Sequence, residues 1–207
     1  MYFIRIIEET STWEKVQKGL VPIKIGDEIV DELKTGEKVT FVVTDMNEEY
    51  IRIETKGHIG SKVPWHHTYI VDIPESDMFH YLHSTILETF PDDLKNIIET
   101  VERKYISYLQ GVKSYECKLF LPDPLEVYGT LTFFSKEIPP EHIIYEQLEY
   151  YKHNRPLKGG KCWLNSARKE KNTSICCMDC QWEDSSIPWD KNYVSVCFFI
   201  KKHLYKI

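Results

Sequence analysis

The C-terminal fifth of the chain decides the expected architecture. It holds two apolar runs, Cys162-Trp-Leu-Asn-Ser166 and Tyr193-Val-Ser-Val-Cys-Phe-Phe-Ile200, whose aromatic and β-branched content is typical of strands. Between them lies a polar insert, Cys176–Lys191, with no periodicity of its own. Such a layout indicates a rigid scaffold that displays a loop, and loops held by scaffolds often carry binding sites.

The N-terminal third is predicted to be mostly β. Apolar and polar residues alternate in several short runs, and Gly36 suits a tight hairpin between two of them. A short helix through Trp13 and Gln17 is expected to end at Gly19. The predicted strands are Tyr2–Ile7, Asp27–Leu33, Lys38–Thr44 and Tyr50–Glu54.

The spacing of apolar residues becomes helical in the middle of the chain. Ser76 is a candidate N-cap for a helix that runs to Phe90, and Pro91 begins a second helix. Leu94, Ile97, Ile98 and Val101 are predicted to form the apolar stripe of the second helix. The predicted core residues of the helix pair are Leu82, Leu87, Leu94 and Ile98.

Further along, a short buried strand is predicted at Cys117–Leu121, one helical turn at Leu125–Tyr128 and a helix at Glu141–Lys152. The predicted fold class is therefore α+β, with mostly antiparallel strands and two central helices. Residues 1–70 would form an N-terminal β-rich subdomain, and residues 71–207 an α+β domain with the C-terminal display region. One continuous domain is the alternative.

Composition narrows the possible partners. The 207 residues carry a formal net charge of −6, which argues against nucleic acid as the main partner because phosphate binding needs concentrated Lys and Arg. No apolar run reaches the ~18 residues of a membrane span, so no membrane partner is expected. The N-terminus has no export signal pattern, and the six cysteines are therefore expected to be reduced thiols in a cytosolic environment.

Metal and cofactor sites are not predicted. Cys177 and Cys180 have C-x-x-C spacing, but zinc needs four ligands, and no second cysteine pair has the spacing of a zinc knuckle. The pair His66-His67, or His80 with His83, could complete such a site, although His80 and His83 are expected on an exposed helix face.

No complete catalytic signature appears, so catalytic residues are not assigned and the chain is predicted not to be an enzyme. A cysteine and a histidine could form a nucleophile and base, but nothing in the sequence places such a pair beside an oxyanion donor. The acids Asp72, Glu75, Asp77, Asp92 and Asp93 are expected to act as helix caps and first-turn acids, without acid–base roles.

The insert supplies the candidate binding residues. Two tryptophans in a polar segment are unusual, because tryptophan normally buries most of its area. They could fold back onto the core, or they could anchor a contact surface whose acids suit a basic or hydroxyl-rich partner. The candidate binding residues are Trp182, Glu183, Asp184, Trp189 and Asp190.

Several blocks, in order, resemble a domain-of-unknown-function family, number 6273, of gut Firmicutes and their phages. The blocks are Trp13–Gly26, Met78–Leu94 with its Phe-Pro-Asp-Asp-Leu ending, Cys117–Gly129, Tyr145–Tyr151 and Trp163-Leu-Asn-Ser166. The resemblance covers nearly the whole chain. The closing strand–loop–strand pattern of the family looks like C-type lectin-like domains, so the resemblance implies a C-type lectin-like C-terminal half.

The resemblance and the residues together suggest a non-enzymatic binding module, derived from a phage or prophage. It would recognise a protein or glycan through the C-terminal loop. It would act in the cytoplasm of a bacterial host or as part of a virion. Two alternatives stay open: a cytosolic phage inhibitor of a host defence protein, and an enzyme with an unrecognised site. The sequence leaves the oligomeric state undetermined.

Overall fold

The computed structural model of the protein describes residues 6–7, 13–67, 72–107, 111–129, 145–154, 162–167, 175–178, 183–186 and 190–203. For residues 6–7, 106–107, 111, 165–167, 175–178 and 183–186 it describes the backbone alone. Helices and antiparallel sheets alternate along these residues, so the fold is α+β, as predicted.

A five-stranded sheet forms the centre of the molecule, in the order β1-β2-β3-β4-β10. β1 pairs parallel to β2, and every other neighbouring pair is antiparallel. Gly36, at φ 83°, closes the predicted hairpin between β2 and β3. The strands are β1 Ile6–Ile7, β2 Glu28–Glu32, β3 Lys38–Met46, β4 Tyr50–Thr55 and β10 Cys197–Lys201.

Both faces of β4 are buried, but by different chemistry. Ile51 and Ile53 lie on the face that packs into the main apolar core, where both are at most 1% exposed. Successive strand residues point to opposite faces, so Arg52 and Glu54 lie on the other face, where they are also buried. The second face therefore requires charged groups to be paired inside the protein.

The two central helices form where the spacing predicted them. Ser76 Oγ accepts from the Phe79 N–H at 3.0 Å, which confirms the N-cap. α2 (Asp77–Tyr81) continues through a π-helical turn at 82–86 into α3 (Leu87–Thr89), and α4 spans Asp92–Ile97. The predicted core residues Leu82, Leu87, Leu94 and Ile98 are all buried. The short helix α1, Trp13–Gln17, is also confirmed and is followed by Gly19 at φ 66°.

The prediction that Val101 belongs to the apolar stripe of the second helix is wrong, because Val101 begins a strand. Ile98 leaves α4 with extended backbone and bridges to Ile200 of β10, and the Glu99 N–H donates to the Phe199 carbonyl at 2.9 Å. The chain then forms an antiparallel hairpin, β5 (Val101–Ser107) and β6 (Gly111–Cys117), that the sequence did not predict. Pairing with a distant strand overrides the local helical spacing there.

The predicted strand at Cys117–Leu121 is wrong in its bounds. β6 ends at Cys117, and Phe120 makes an isolated bridge to Cys197. The predicted turn of helix is confirmed as α5, Pro124–Tyr128, which ends at Gly129 with φ 70°. The predicted helix at Glu141–Lys152 is shorter: α6 spans Glu149–His153, residues 145–148 are not helical, and residues 141–144 lie outside the described residues.

A third sheet contains residues 176–178 and 183–186 of the C-terminal insert, in the antiparallel order β7-β8-β9. Its strands are β7 Cys162–Ala167, β8 Ile175–Met178 and β9 Glu183–Ser186. The insert therefore contains two paired strands, whereas the sequence predicted an irregular loop. The two terminal apolar runs belong to different sheets and meet through a bridge between Cys162 and Tyr193.

One apolar core draws on both halves of the chain. Phe41, Phe90 and Phe198 meet edge to face with ring centroids 5.8 Å apart, and they come from β3, the end of α3 and β10. The antiparallel pairing of β4 with β10 likewise joins the two halves. The domain division at residue 70 stays a prediction. Among the described residues, none of the helices is long and apolar enough to cross a membrane.

Candidate functional site

The predicted binding residues fall into two places along the insert. Glu183 and Asp184 are the first residues of β9, opposite Met178 and Cys177 of β8. Asp190 is exposed and lies on the segment that leads towards β10. Trp182 and Trp189 lie outside the described residues. The acids of the β8–β9 hairpin are thus placed on one strand, next to each other.

The base of the β8–β9 hairpin is fixed in the core through β7. Cys162, Trp163 and Leu164 are at most 1% exposed. The Trp163 indole N–H donates to the Val63 carbonyl at 2.8 Å, and its ring lies edge-on to Trp65 at 6.2 Å. Buried tryptophans with satisfied indole N–H groups hold a strand firmly in place. The third sheet is therefore attached to the core through buried residues of β7.

A cysteine and a histidine do meet at this base. Cys162 Sγ lies 3.2 Å from His58 Nδ1, and the His58 ring stacks on Tyr193 at 3.7 Å with 6° between the planes. Lys62 Nζ lies 4.3 Å from the centroid of the Tyr193 ring. The spacing is that of a nucleophile and its base. However, the Cys162 side chain is 1% exposed, so this thiol has little access to a substrate.

A buried ionic network lies on the second face of β4. Arg52 Nη1 is 3.1 Å from Glu54 Oε2, and Arg52 Nη2 is 3.2 Å from Glu126 Oε2. Arg103 Nη2 is 2.8 Å from Glu126 Oε1, although its N–H direction misses hydrogen-bond geometry. Two guanidinium groups thus face two carboxylates, so the formal charges of the network balance.

The capping box of α5 places Glu126 between the two arginines. Asp123 accepts from the Leu125 N–H at 2.9 Å, while Glu126 Oε2 accepts from the Asp123 N–H at 3.0 Å. Burial raises the pKa of Glu126, but the charges of Arg103 and Arg52 outweigh it and lower that pKa below its usual range. Glu126 is therefore a carboxylate at neutral pH even though it is 3% exposed.

A groove of about 430 Å³ lies next to this network. Arg52, Arg103 and Glu126 contribute to its lining, together with Asp45 and the segment 145–149. The guanidinium of Arg103 is held between the rings of Phe120 and Tyr145, each 4.2 Å from its central carbon. Both arginines already contact carboxylates and aromatic rings. The carboxylates in the lining of the groove outnumber its cations. The groove has no net positive charge with which to attract an anion.

A second cluster of titratable groups lies near the surface, at the start of α2. His67 Nδ1 is 2.7 Å from Asp77 Oδ2, and His66 Nδ1 is 3.2 Å from Asp77 Oδ1. Burial raises the pKa of Asp77, but the hydrogen bond from His67 and the charge of His66 outweigh it and lower the pKa below its usual range. We call these three residues the His–His–Asp cluster. Their ligand atoms all lie within 4.8 Å of one another.

Sequence reasoning missed this cluster and misjudged one neighbouring histidine. Asp77 was expected to be only a first-turn acid, and nothing in the spacing between residues 67 and 77 signals a contact. Consecutive histidines are a weak signal, because in a strand they would point to opposite faces. His80 is exposed as predicted, but His83 is half-buried and its Nδ1 lies 2.8 Å from the Phe79 carbonyl.

The three cysteines with described side chains, Cys117, Cys162 and Cys197, are all buried. Cys177 is described by its backbone in β8, and Cys180 lies outside the described residues.

No protein-family model, curated protein or solved structure matches this chain. The resemblance to family 6273 and to C-type lectin-like domains accordingly stays a prediction from sequence.

Proposed function

We propose that the protein is a non-enzymatic binding module that contacts a protein or glycan through the β8–β9 hairpin. The observation that carries this proposal is the position of the hairpin. It extends from β7, whose residues Cys162 to Leu164 are locked in the core. A hairpin on a rigid base loses little conformational entropy on binding, which favours affinity.

The chemistry of the hairpin suggests the kind of partner. Glu183 and Asp184 begin β9, and the sequence just before them is Asp179-Cys-Gln-Trp182. Acids steer a basic or hydroxyl-rich partner, and tryptophan offers a large contact area for few rotatable bonds. β9 also has a single strand neighbour within the described part of the third sheet. The phage origin and the C-type lectin-like character implied by the sequence resemblance belong to the same proposal.

The test compares retention of the protein on two materials from gut Firmicutes: isolated cell-surface polysaccharide and cytoplasmic lysate. We expect Trp182→Ala, and separately the double variant Glu183→Lys/Asp184→Lys, to abolish retention. The melting temperature of Trp182→Ala should stay within a few degrees of wild type, because a displayed side chain contributes little to the fold.

The matched control is Glu48→Lys/Glu49→Lys. These two adjacent acids are exposed in the turn between β3 and β4, so the control changes the net charge equally at a distant place. It should retain the partner. Loss of retention in the control, or unfolding of Trp182→Ala, would contradict the proposal. Retention by a protein in the lysate, and not by the polysaccharide, would favour an intracellular target over a glycan.

A further inference from the structure

The His–His–Asp cluster joins two chain segments about ten residues apart in sequence, which are held in contact in the structure. His66 and His67 follow the buried Trp65, while Asp77 is the first residue of α2. The Asp77 carboxylate contacts one histidine with each oxygen: Oδ1 lies 3.2 Å from His66 Nδ1 and Oδ2 lies 2.7 Å from His67 Nδ1. Both imidazoles thus present a nitrogen to the same carboxylate.

Backbone contacts hold the two segments in this arrangement. The Met78 N–H donates to the Trp65 carbonyl at 3.0 Å, and the His67 N–H donates to Asp77 Oδ2 at 2.9 Å. Trp65 is 2% exposed, and the N-cap Ser76 is fully buried. The backbone positions on either side of the cluster are therefore set by the core, which reduces the entropy that a ligand would otherwise cost.

We propose that His66, His67 and Asp77 bind a divalent transition-metal ion of the zinc type. Zinc is bound by histidine nitrogen and carboxylate oxygen at about 2.0–2.2 Å, and a tetrahedral ion therefore separates its ligand atoms by roughly 3.3 Å. The 3.2 Å between His66 Nδ1 and Asp77 Oδ1 already has this value. With Asp77 Oδ1 as the oxygen ligand, His67 Nδ1, now 2.7 Å from the other oxygen Oδ2, must turn away from Oδ2 to face the ion.

His67 is free to make that adjustment. Its side chain is 68% exposed, whereas that of His66 is 12% exposed. A small rotation of this exposed imidazole costs little because, among the described residues, its ring packs only on His66, with centroids 4.3 Å apart. The ion would replace the His67–Asp77 hydrogen bond and the long hydrogen bond of 3.3 Å that the Asp77 N–H donates to His66 Nδ1. Water would complete the tetrahedron, as in sites with three protein ligands.

The donor set selects the class of ion. Imidazole nitrogens suit zinc, copper, nickel and iron, whereas magnesium and calcium take oxygen ligands. The cluster offers two nitrogens and a single carboxylate. The sequence alone predicts no metal site, because it suggests His66 and His67 as zinc ligands only together with Cys177 and Cys180.

The experiment is calorimetric titration of ZnCl₂ into protein that carries no polyhistidine tag and has been treated with a chelator. We expect one zinc ion per chain and no heat of binding with MgCl₂. His67→Ala and, separately, Asp77→Asn should weaken the zinc affinity by ~10–100-fold or more, since even the loss of an outer-shell partner has that effect. Both variants should keep the melting temperature close to wild type, because the two side chains are largely or partly exposed.

Matched controls are His80→Ala and Asp93→Asn. Both residues are exposed and outside the cluster, His80 in the last turn of α2 and Asp93 in the first turn of α4. They should bind zinc like wild type. The double variant Cys177→Ser/Cys180→Ser should also bind zinc normally; loss of zinc in that variant would place the ion at the cysteines and overturn the proposal. Equal zinc affinity in wild type, His67→Ala and Asp77→Asn would overturn it as well.

Discussion

The buried ionic network and the His–His–Asp cluster both bring carboxylates against basic groups, yet they differ in access to water. Arg52 is 1% exposed and Glu126 3% exposed, whereas the side chains of His67 and Asp77 are 68% and 41% exposed. In the network each buried charge is paired with a buried charge of opposite sign. At the surface, water can replace a lost partner. Solvent access therefore decides whether such groups hold the fold or are available to a ligand.

The buried ionic network is the case in which charged groups hold the fold. Arg52 contacts both Glu54 and Glu126, and Arg103 contacts Glu126 between two aromatic rings. The Tyr151 hydroxyl and the Ser195 hydroxyl also donate to Glu54 Oε1. A buried network of this kind adds little stability over an apolar core of the same shape, but removal of one member leaves another charge unpaired.

The largest expected effect follows from breaking the network at Glu126. Glu126→Gln keeps the shape of the side chain but leaves Arg52 and Arg103 with one carboxylate between them. We expect a loss of about 3–5 kcal/mol in the free energy of unfolding, measured by urea denaturation. Glu102→Gln, at an exposed position of β5, is the control and should change stability by less than ~0.5 kcal/mol. A loss below ~1 kcal/mol for Glu126→Gln would mean that water or rearrangement compensates the arginines.

The same variant should change the response to acid. The folded-state pKa of Glu126 is lowered, so its contribution to stability is present above the pKa of an unfolded glutamate, about 4.3. That contribution is lost as the pH falls through the lower folded-state pKa. Wild type should therefore lose stability more steeply than Glu126→Gln below pH ~4.3. Parallel curves of unfolding free energy against pH would contradict this.

A somewhat smaller effect is expected in the main apolar core. Leu94 of α4 is fully buried, so Leu94→Ala should cost about 2–5 kcal/mol in unfolding free energy. Leu20→Ala is the matched control, since Leu20 is 66% exposed, and it should stay within about 0.5 kcal/mol of wild type. A cost below ~1 kcal/mol for Leu94→Ala would show that the site collapses without a cavity.

Local patterns predicted the parts of the fold that depend on neighbours in sequence. Leu94 was placed in the core by helical spacing, Ser76 was placed at an N-cap by residue type, and Gly36 was placed in a hairpin. Each is decided within a few residues. The β5–β6 hairpin was missed because Ile98 and Glu99 leave the helix to contact β10, at Ile200 and Phe199, and no local spacing reports that pairing.

The candidate sites were less predictable for the same reason. The Cys162–His58 contact and the ionic network join residues that are distant in the chain, and the His–His–Asp cluster joins residues ten or eleven positions apart across an irregular segment. Their residue types are ordinary, and their spacing matches no ligand signature. Glu183 and Asp184 stay predicted binding residues, and their position on a paired strand was not predicted.

A smaller loss of stability is expected at Ser76, the N-cap that precedes Asp77 of the His–His–Asp cluster. Ser76 Oγ caps α2 and also donates to the Ile73 carbonyl at 2.7 Å. Ser76→Ala should therefore reduce unfolding free energy by about 0.5–2 kcal/mol and loosen Asp77 at the start of the helix. Ser84→Ala is the control, because Ser84 is exposed and its hydroxyl donates only to the His80 carbonyl. If zinc affinity falls in Ser76→Ala and not in Ser84→Ala, the core positions the cluster. Equal zinc affinity in both variants would show that the cluster does not depend on the cap.

The smallest expected effect concerns His83, a histidine placed between the two extremes of solvent access. Its Nε2 faces two backbone donors, the N–H groups of Lys118 at 3.2 Å and Leu119 at 3.4 Å, so this nitrogen must accept. Its Nδ1, 2.8 Å from the Phe79 carbonyl, must therefore carry the proton. The imidazole is neutral in the folded protein. Burial lowers the pKa of His83, and the nearby charge of His80 adds to that effect against the opposing hydrogen bond to Phe79.

The sign of the pH dependence follows from this lowered pKa. An unfolded histidine takes up a proton near pH 6.5, while the folded protein resists protonation of His83, so stability falls as the pH drops below that value. The slope due to one group is at most about 1.4 kcal/mol per pH unit. His83→Gln should reduce the loss of unfolding free energy between pH 7.5 and 5.5, whereas His80→Gln, at an exposed position, should leave most of it. All other histidines are common to both variants, so the difference between their slopes compares the half-buried His83 with the exposed His80. Identical slopes would show that His83 contributes no more to the pH dependence than His80 does, and that half-burial of an imidazole is closer to the surface case than to the buried one.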